Sequence, residues 1–412
     1  MKTYTFDKSQ ALFKKAAEVI PCGIYGHFSP APLIPPTAYP FYAVRGKGSH
    51  FWDVDGNEFI DYMCAYGPMV LGYNHEGINR AYFDAVNQGY CMTAPSPVMV
   101  ELAEYLVDMV AIADWAFFAK NGGDMTNFSI MIARAATERS KIVAIQGGYH
   151  GVSAWMQGAG HHGVIDEDVA NIVRIPWNDV TAFEKVIAEN PGQVAGFISS
   201  PYHHPTFVDN ELPAEGYWNK IQAICKKEGI VLIVDDVRCG FRLDLRGSDQ
   251  HFGFNADLLC FCKAIANGFP ISAIVGTDAL KAAAAKVFYT GSYWFQGPPM
   301  AAALANLKEL KRLDGPKVIR DVGKKLLDGL VDLAKTHGYT LKVTGEPAMP
   351  YLRLTDDPSL MLHQDWCSEC TKRGAYFTSH HNWFVSAAHT EEDVKRTLEI
   401  ADDAFKAIKQ RH

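Results

Sequence analysis

A single lysine closes an apolar run in DLLCFCKAIANGFP, residues 257–270. An ammonium is costly to bury, so a lysine there is set up to be neutral or paired. A neutral Lys263 is a nucleophile toward a carbonyl. Three other apolar runs also end in small or polar residues. VLIV is followed by Asp235 and Asp236, WAFFA by Lys120-Asn121-Gly122-Gly123-Asp124, and KIVAI by Gly147-Gly148-Tyr149-His150-Gly151. An amine, a buried carboxylate, a glycine pair opening a helix and an aromatic ring are what a pyridoxal 5'-phosphate site requires. Lys263 would form a Schiff base with the aldehyde, and Asp235 would keep the ring nitrogen protonated so that the ring draws electrons. Backbone N–H groups at Gly122 and Gly123 would receive the phosphate, and Tyr149 would stack on the ring. Each residue alone has a plainer reading: Asn121 with Asp124 as a helix cap, Asp235 as a strand end, Tyr149 as core, Lys263 as surface. The order of all four along one chain favours the site.

These residues meet only if their runs are neighbouring strands. Strands are expected at 115–120, 141–145, 194–199, 229–236 and 257–262, with helices at 122–138 and 216–227. The runs are apolar throughout rather than alternating, the pattern of parallel strands covered on both faces. Ligands of such sheets lie at the carboxyl ends of the strands. The expected fold class is α/β: a large domain over 58–300 with a mostly parallel central sheet, and a smaller α+β domain from 1–57 and 301–412. The latter would hold helices at 299–313, 315–337 and 390–408.

The 412 residues, 48% apolar and 21% charged, suit a globular protein of two domains. A net charge of −7 disfavours nucleic acid and leaves no polybasic membrane surface. No run has the length of a membrane span, and the first twenty residues lack the apolar core of a signal peptide. Nine scattered cysteines fit free thiols in a reducing, cytoplasmic setting better than a disulfide framework. Cys367 and Cys370 form a lone CxxC, and His161-His162, His203-His204 and His380-His381 have no acidic cluster beside them, so no metal is expected. GAGHHG, residues 158–163, matches GxGxxG but lacks a strand before it and a helix start after it.

Longer stretches carry a resemblance. FWDVDGNEFIDYMCAYGPMVLGYNHE (51–76), FAKNGGDM (118–125), GGYHG (147–151), LIVDDVRCGFR (232–242), CKAIANGFPISAIVG (262–276), GSYWFQGPPMAAA (291–303) and FVSAAHTEEDVKRTLEIADDAF (384–405) occur in this order. The chain resembles the class III, fold-type I pyridoxal-phosphate aminotransferases over nearly its whole length, and most of all the branch of glutamate-1-semialdehyde aminomutase. The resemblance implies Lys263 as the Schiff-base lysine, Asp235 at the ring nitrogen, Val237 under one ring face and Tyr149 over the other. Gly122 and Gly123 would hold the phosphate, joined by Ser292 of a second subunit. A homodimer with the active site at its interface follows.

The departures concern the phosphate and the substrate. Gly123 stands where the family has a Thr or Ser hydroxyl, Ser200 and Asp236 where it has Glu, and Arg238 where Gln or Met is usual. Arg238 reads as a clamp for a substrate carboxylate or as a structural ion pair with Asp236 or Asp244. The aminomutase's substrate-binding arginine falls at about Ser29, which argues against that enzyme's own substrate. Tyr66 and His27 are weaker candidates for the substrate pocket, and His381 reads either as pocket or as packed core. The expected activity is transfer of an amino group from an amine or amino-acid donor to a keto acid. An aminomutase or racemase on the same lysine is the alternative, and a degenerate, non-catalytic binding protein the third reading.

Overall fold

The computed structural model describes residues 1–24 and 34–410. His27 and Ser29 lie outside the described residues. Two compact units share the chain, one of Met1–His75, Thr206–Asn210 and Lys317–His412, the other of Glu76–Pro205 and Glu211–Pro316.

The first unit begins with the helix Asp7–Val19 and the short strands β1 (Ala43–Lys47), β2 (His50–Asp53) and β3 (Glu58–Asp61), paired antiparallel in sequence. The second unit is built on a seven-stranded sheet. Its strands are β4 (Trp115–Ala119), β5 (Lys141–Ile145), β6 (Ile172–Ile175), β7 (Val194–Ser199), β8 (Val231–Asp235), β9 (Leu258–Phe261) and β10 (Ser272–Gly276), in the order β4-β10-β9-β8-β7-β5-β6. Pairings from β6 through β9 are all parallel. Every residue of β7, β8 and β9 is buried, as their unbroken apolar runs require.

Two strands go beyond the sequence reading. β6 closes one edge, and β10 lies inside the lysine segment, antiparallel to both β9 and β4. The chain therefore turns back directly after Lys263. Helices Gly122–Thr137 and Tyr217–Glu228 stand where expected, and Gly297–Leu313 completes this unit.

The remainder of the first unit comprises most of the helix Gly315–Thr336, the hairpin of β11 (Leu341–Thr344) and β12 (Tyr351–Leu354), the helix Met361–Thr371, β13 (Ala375–Tyr376) and the helix Glu391–Lys409. β13 pairs in parallel with β3 to extend the first sheet. Cys367 and Cys370 are buried on the helix Met361–Thr371, and Gly158–Gly163 form turns rather than a strand–helix junction.

Candidate active site

Asp235 is the last residue of β8 and only 6% exposed. Its Oδ2 lies 2.7 Å from His150 Nδ1, and its Oδ1 accepts the Val237 N–H at 3.2 Å. Neighbours along an extended chain point to opposite sides, and the adjacent carboxylates divide accordingly. Asp236 turns to the backbone N–H of Ser248, 2.9 Å away, and burial pushes its pKa up to about 7.

Lys263 follows β9 and opens a short 3₁₀ turn, Lys263–Ile265. Its φ of +45° is a left-handed conformation, costly for a residue with a Cβ. Buried Asn306, on the helix Gly297–Leu313, fixes this turn by donating to the Ala264 and Ile265 carbonyls at 2.7 and 2.9 Å. Burial, reinforced by the Arg238 charge, pushes the Lys263 pKa down to about 7. A large share of the amine is thus neutral near neutral pH, as a nucleophile requires.

The loop after β4 enters the helix Gly122–Thr137 at Gly122. Asp124 folds back so that its Oδ2 accepts the Asn121 N–H at 2.7 Å. A Cβ on Gly122 would meet Val237 Cγ2 at 2.8 Å and Cγ1 at 2.9 Å, so the absence of a side chain lets this loop touch Val237. A Cβ on Gly123 would meet nothing closer than Gly151 Cα at 3.6 Å, an ordinary contact. The Cys262 thiol donates to the Ile271 carbonyl at 3.4 Å and lies 3.9 Å from the Lys120 carbonyl just ahead of this loop. Lys120 itself has a buried Nζ with no hydrogen-bond partner among the described residues, and burial lowers its pKa to about 8.

The loop after β5 reaches the same place. Thr126 Oγ1 donates to the His150 carbonyl at 2.6 Å, which ties this loop to the helix. Tyr149 is 55% exposed, a ring left open to pack on something outside the chain. The guanidinium of Arg238 lies 6.0 Å from its centroid. Arg238 Nη1 also donates to His204 Nδ1 and to the His204 carbonyl, each at 3.2 Å. Asp244 pairs with Arg246 at 2.9 Å, and Asp236 Oδ2 accepts the Ser248 N–H.

Gly122, His150, Asp235 and Val237 are therefore joined by direct contacts, with Gly123 next along the helix start and Lys263 within electrostatic reach of Asp235 and Arg238. Ser292 is exposed ahead of the helix Gly297–Leu313, its carbonyl 3.9 Å from the Cys91 thiol. Tyr66 and His381 belong to the first unit. Tyr66 ends a left-handed turn, with φ +47°, +53° and +64° at Cys64, Ala65 and Tyr66. His381 is buried, edge-on to Tyr66 at 5.3 Å, with Nδ1 2.7 Å from the Asn382 carbonyl.

Sequence reasoning passed over His150, Asn306 and His204. His150 stood beside Tyr149 in the quoted loop, and an imidazole two positions from a strand-end glycine could have been tested against Asp235. In the sequence His204 reads only as half of a histidine pair. Asn306 lies on an ordinary helical stretch and gave no local signal.

The residues fit pyridoxal phosphate. A helix start with an open position at Gly123 suits a phosphate. A strand-end carboxylate backed by His150, an exposed tyrosine ring and a depressed lysine suit the ring and its aldehyde.

The comparisons agree with this chemistry. The family model for class-III aminotransferases matches residues 35–404. The aminopentol aminotransferase of Sphingopyxis macrogoltabida is 39% identical over 402 residues, 97% of this chain and 94% of that protein. A glutamate-1-semialdehyde 2,1-aminomutase of Desulforamulus reducens is 30% identical over 435 residues, 98% of each chain. The solved structure of the FumI protein of Sphingopyxis sp. MTA144, in its PLP internal aldimine form, is similar with a TM-score of 0.95 at 38% identity, covering 98% of this chain and 97% of that one. The chain belongs to the class-III aminotransferases, pyridoxal-phosphate enzymes of fold-type I that move an amino group from an amine or amino acid to a keto acid.

Proposed function

We propose that Lys263 is the residue that holds the cofactor and moves the proton at the substrate carbon, and that Asp235 holds the proton of the ring nitrogen. The observation that carries this is the left-handed, partly buried lysine at the end of β9, with its pKa lowered to about 7. When bound, pyridoxal phosphate supplies the aldehyde that takes up the amino group and the ring that withdraws electrons from the substrate carbon. With its amine free, Lys263 would be a base of matched strength for a proton transfer near neutral pH. Asp235, fixed on both oxygens by His150 and the Val237 N–H, stays oriented toward a cationic ring nitrogen. Val237 and Tyr149 would flank the ring, and the N–H groups of Gly122 and Gly123 would hold the phosphate.

Arg238 takes the substrate carboxylate in this reading. The keto acid always brings one, so the clamp serves the acceptor as well as any carboxylated donor. The working form is a homodimer, with Ser292 of each chain reaching the other's phosphate. Ser292 stands among exposed apolar groups, Phe288 at 89% and Tyr293 at 64%, which suit a second copy. The nine free cysteines fit a reducing, cytoplasmic setting.

Borohydride reduction of the holoenzyme followed by peptide mass analysis tests the central assignment. The pyridoxyl mass is expected on the peptide containing Lys263, and its appearance on any other lysine removes the assignment. Isomerisation remains the second reading, because an aminomutase relative is 30% identical over 98% of the chain. Transfer yields stoichiometric keto product only with added acceptor, whereas isomerisation proceeds without one.

A further inference from the structure

We infer that His204 is the positioning residue of the carboxylate clamp: its Nδ1 accepts from Arg238 and sets where the guanidinium stands. The inference rests on the proposal that Arg238 binds the substrate carboxylate.

An arginine can only donate, so the 3.2 Å contact from Arg238 Nη1 requires a lone pair on His204 Nδ1. The imidazole is then neutral, with its proton on Nε2. Burial, with the Arg238 charge added, keeps its pKa well below the ordinary range. Nε2 is buried with no hydrogen-bond partner among the described residues. For stability alone this is a poor choice, because an unpaired buried donor is penalised and an apolar ring of the same shape would not be. What the histidine supplies that such a ring would not is the acceptor at Nδ1.

The support beneath it is stiff. The backbone at His203 is bridged to Glu211 in both directions, at 3.0 and 2.8 Å. The His204 ring is 9% exposed and packs edge-on against buried Tyr202 at 5.1 Å. The His204 carbonyl accepts from the same Nη1, so a side-chain change leaves this backbone acceptor in place. A partial loss of clamp function is therefore expected.

The test compares the carboxylated acceptor pyruvate with uncharged propanal, as kcat/KM in the holoenzyme. His204→Phe should lower the pyruvate-to-propanal ratio about tenfold, chiefly through KM for pyruvate, and weaken calorimetric binding of propanoate to a similar degree. His204→Asn, which restores an acceptor near Nδ1, should hold the ratio within about threefold of the parent. Thermal stability of His204→Phe should change little, since the lost Nδ1 contact to Arg238 is offset by removal of the unpaired buried Nε2 donor. If His204→Phe does not fold, His204→Leu takes its place in the same comparison. An unchanged ratio in His204→Phe with a collapsed ratio in Arg238→Ala overturns the role of His204 and leaves the clamp. Unchanged ratios in both overturn the clamp and, with it, this inference. Equal losses in His204→Phe and His204→Asn also overturn it, because shape rather than the acceptor would then be what matters.

Discussion

Two histidine–carboxylate pairs, one in each unit, have the same separation and opposite surroundings. His150 Nδ1 lies 2.7 Å from Asp235 Oδ2, and His50 Nε2 lies 2.7 Å from Asp393 Oδ1. His50 has a second carboxylate, Glu58, at 2.9 Å on its other nitrogen. Asp393 also accepts from Ser49 Oγ, Thr390 Oγ1 and Thr390 N–H, at 2.8 to 2.9 Å, at the start of the helix Glu391–Lys409. Each hydrogen-bonding nitrogen of His50 is satisfied, and the pair pins β2 to a helix cap. In the other pair His150 Nε2 is buried with no partner among the described residues, and Asp235 sits at a strand's carboxyl end. A saturated pair serves as a clasp. An unsaturated pair at the sheet's ligand-binding edge leaves hydrogen-bonding capacity for something that arrives later.

The comparison breaks if Asp235 and Asp393 prove interchangeable in their effects. Asp235→Asn should reduce kcat by about 10²–10³-fold or more in steady-state assays, with little change in thermal stability. Asp393→Asn should lower the melting temperature by a few degrees and leave kcat within about twofold. Reversed outcomes would place the clasp, not the site, at β8.

The two adjacent glycines sharpen it next. Gly122→Ala drives a Cβ into Val237 at 2.8 Å, a short branched side chain that yields only by moving. With Val237 under the ring, as proposed, its displacement should weaken cofactor affinity on the order of 10–100-fold, read by absorbance titration of the apoenzyme. Gly123→Ser has the opposite sign. Its Cβ finds ordinary contact at 3.6 Å, and the hydroxyl would donate to a phosphate held, as proposed, at this helix start. Cofactor binding should tighten about five- to tenfold, the net worth of one hydrogen bond at about 1 kcal/mol.

The smallest expected effect concerns pH. Hydrogen bonding to Asp393 raises the His50 pKa above its ordinary 6.5, so its contribution is complete below that pH and fades as pH rises through the raised value. Hydrogen bonds from His50, Thr390 and Ser49 outweigh burial and hold Asp393 below 3.8, so its share is lost as pH falls through that depressed value. The clasp is strongest between about pH 4 and 6.5. His50→Gln should flatten the decline in melting temperature above pH 6.5, a difference on the order of 1–2 °C by calorimetry. A decline equally steep in the variant would show that the clasp adds nothing to stability.

Much of the fold, and the placement of the candidate residues at the ends of its elements, is legible in the sequence. The Lys263 run, the Asp235 strand end and the Gly122 helix start are local patterns, and the strands β5, β7, β8 and β9 follow from unbroken apolar runs. β10 was hidden because SAIVG follows the Gly-Pro break after Lys263 and reads as loop.

Amino-acid order alone determined which residues have the chemistry and which segments are strands or helices, because apolar period and capping act over a few residues. Only the tertiary structure decided that His150 meets Asp235 across 85 positions, that His204 meets Arg238 across 34, and that Asn306 holds the lysine turn. Those meetings depend on strand order and register, and on the return of β10 between β9 and β4. No short stretch of chain encodes them.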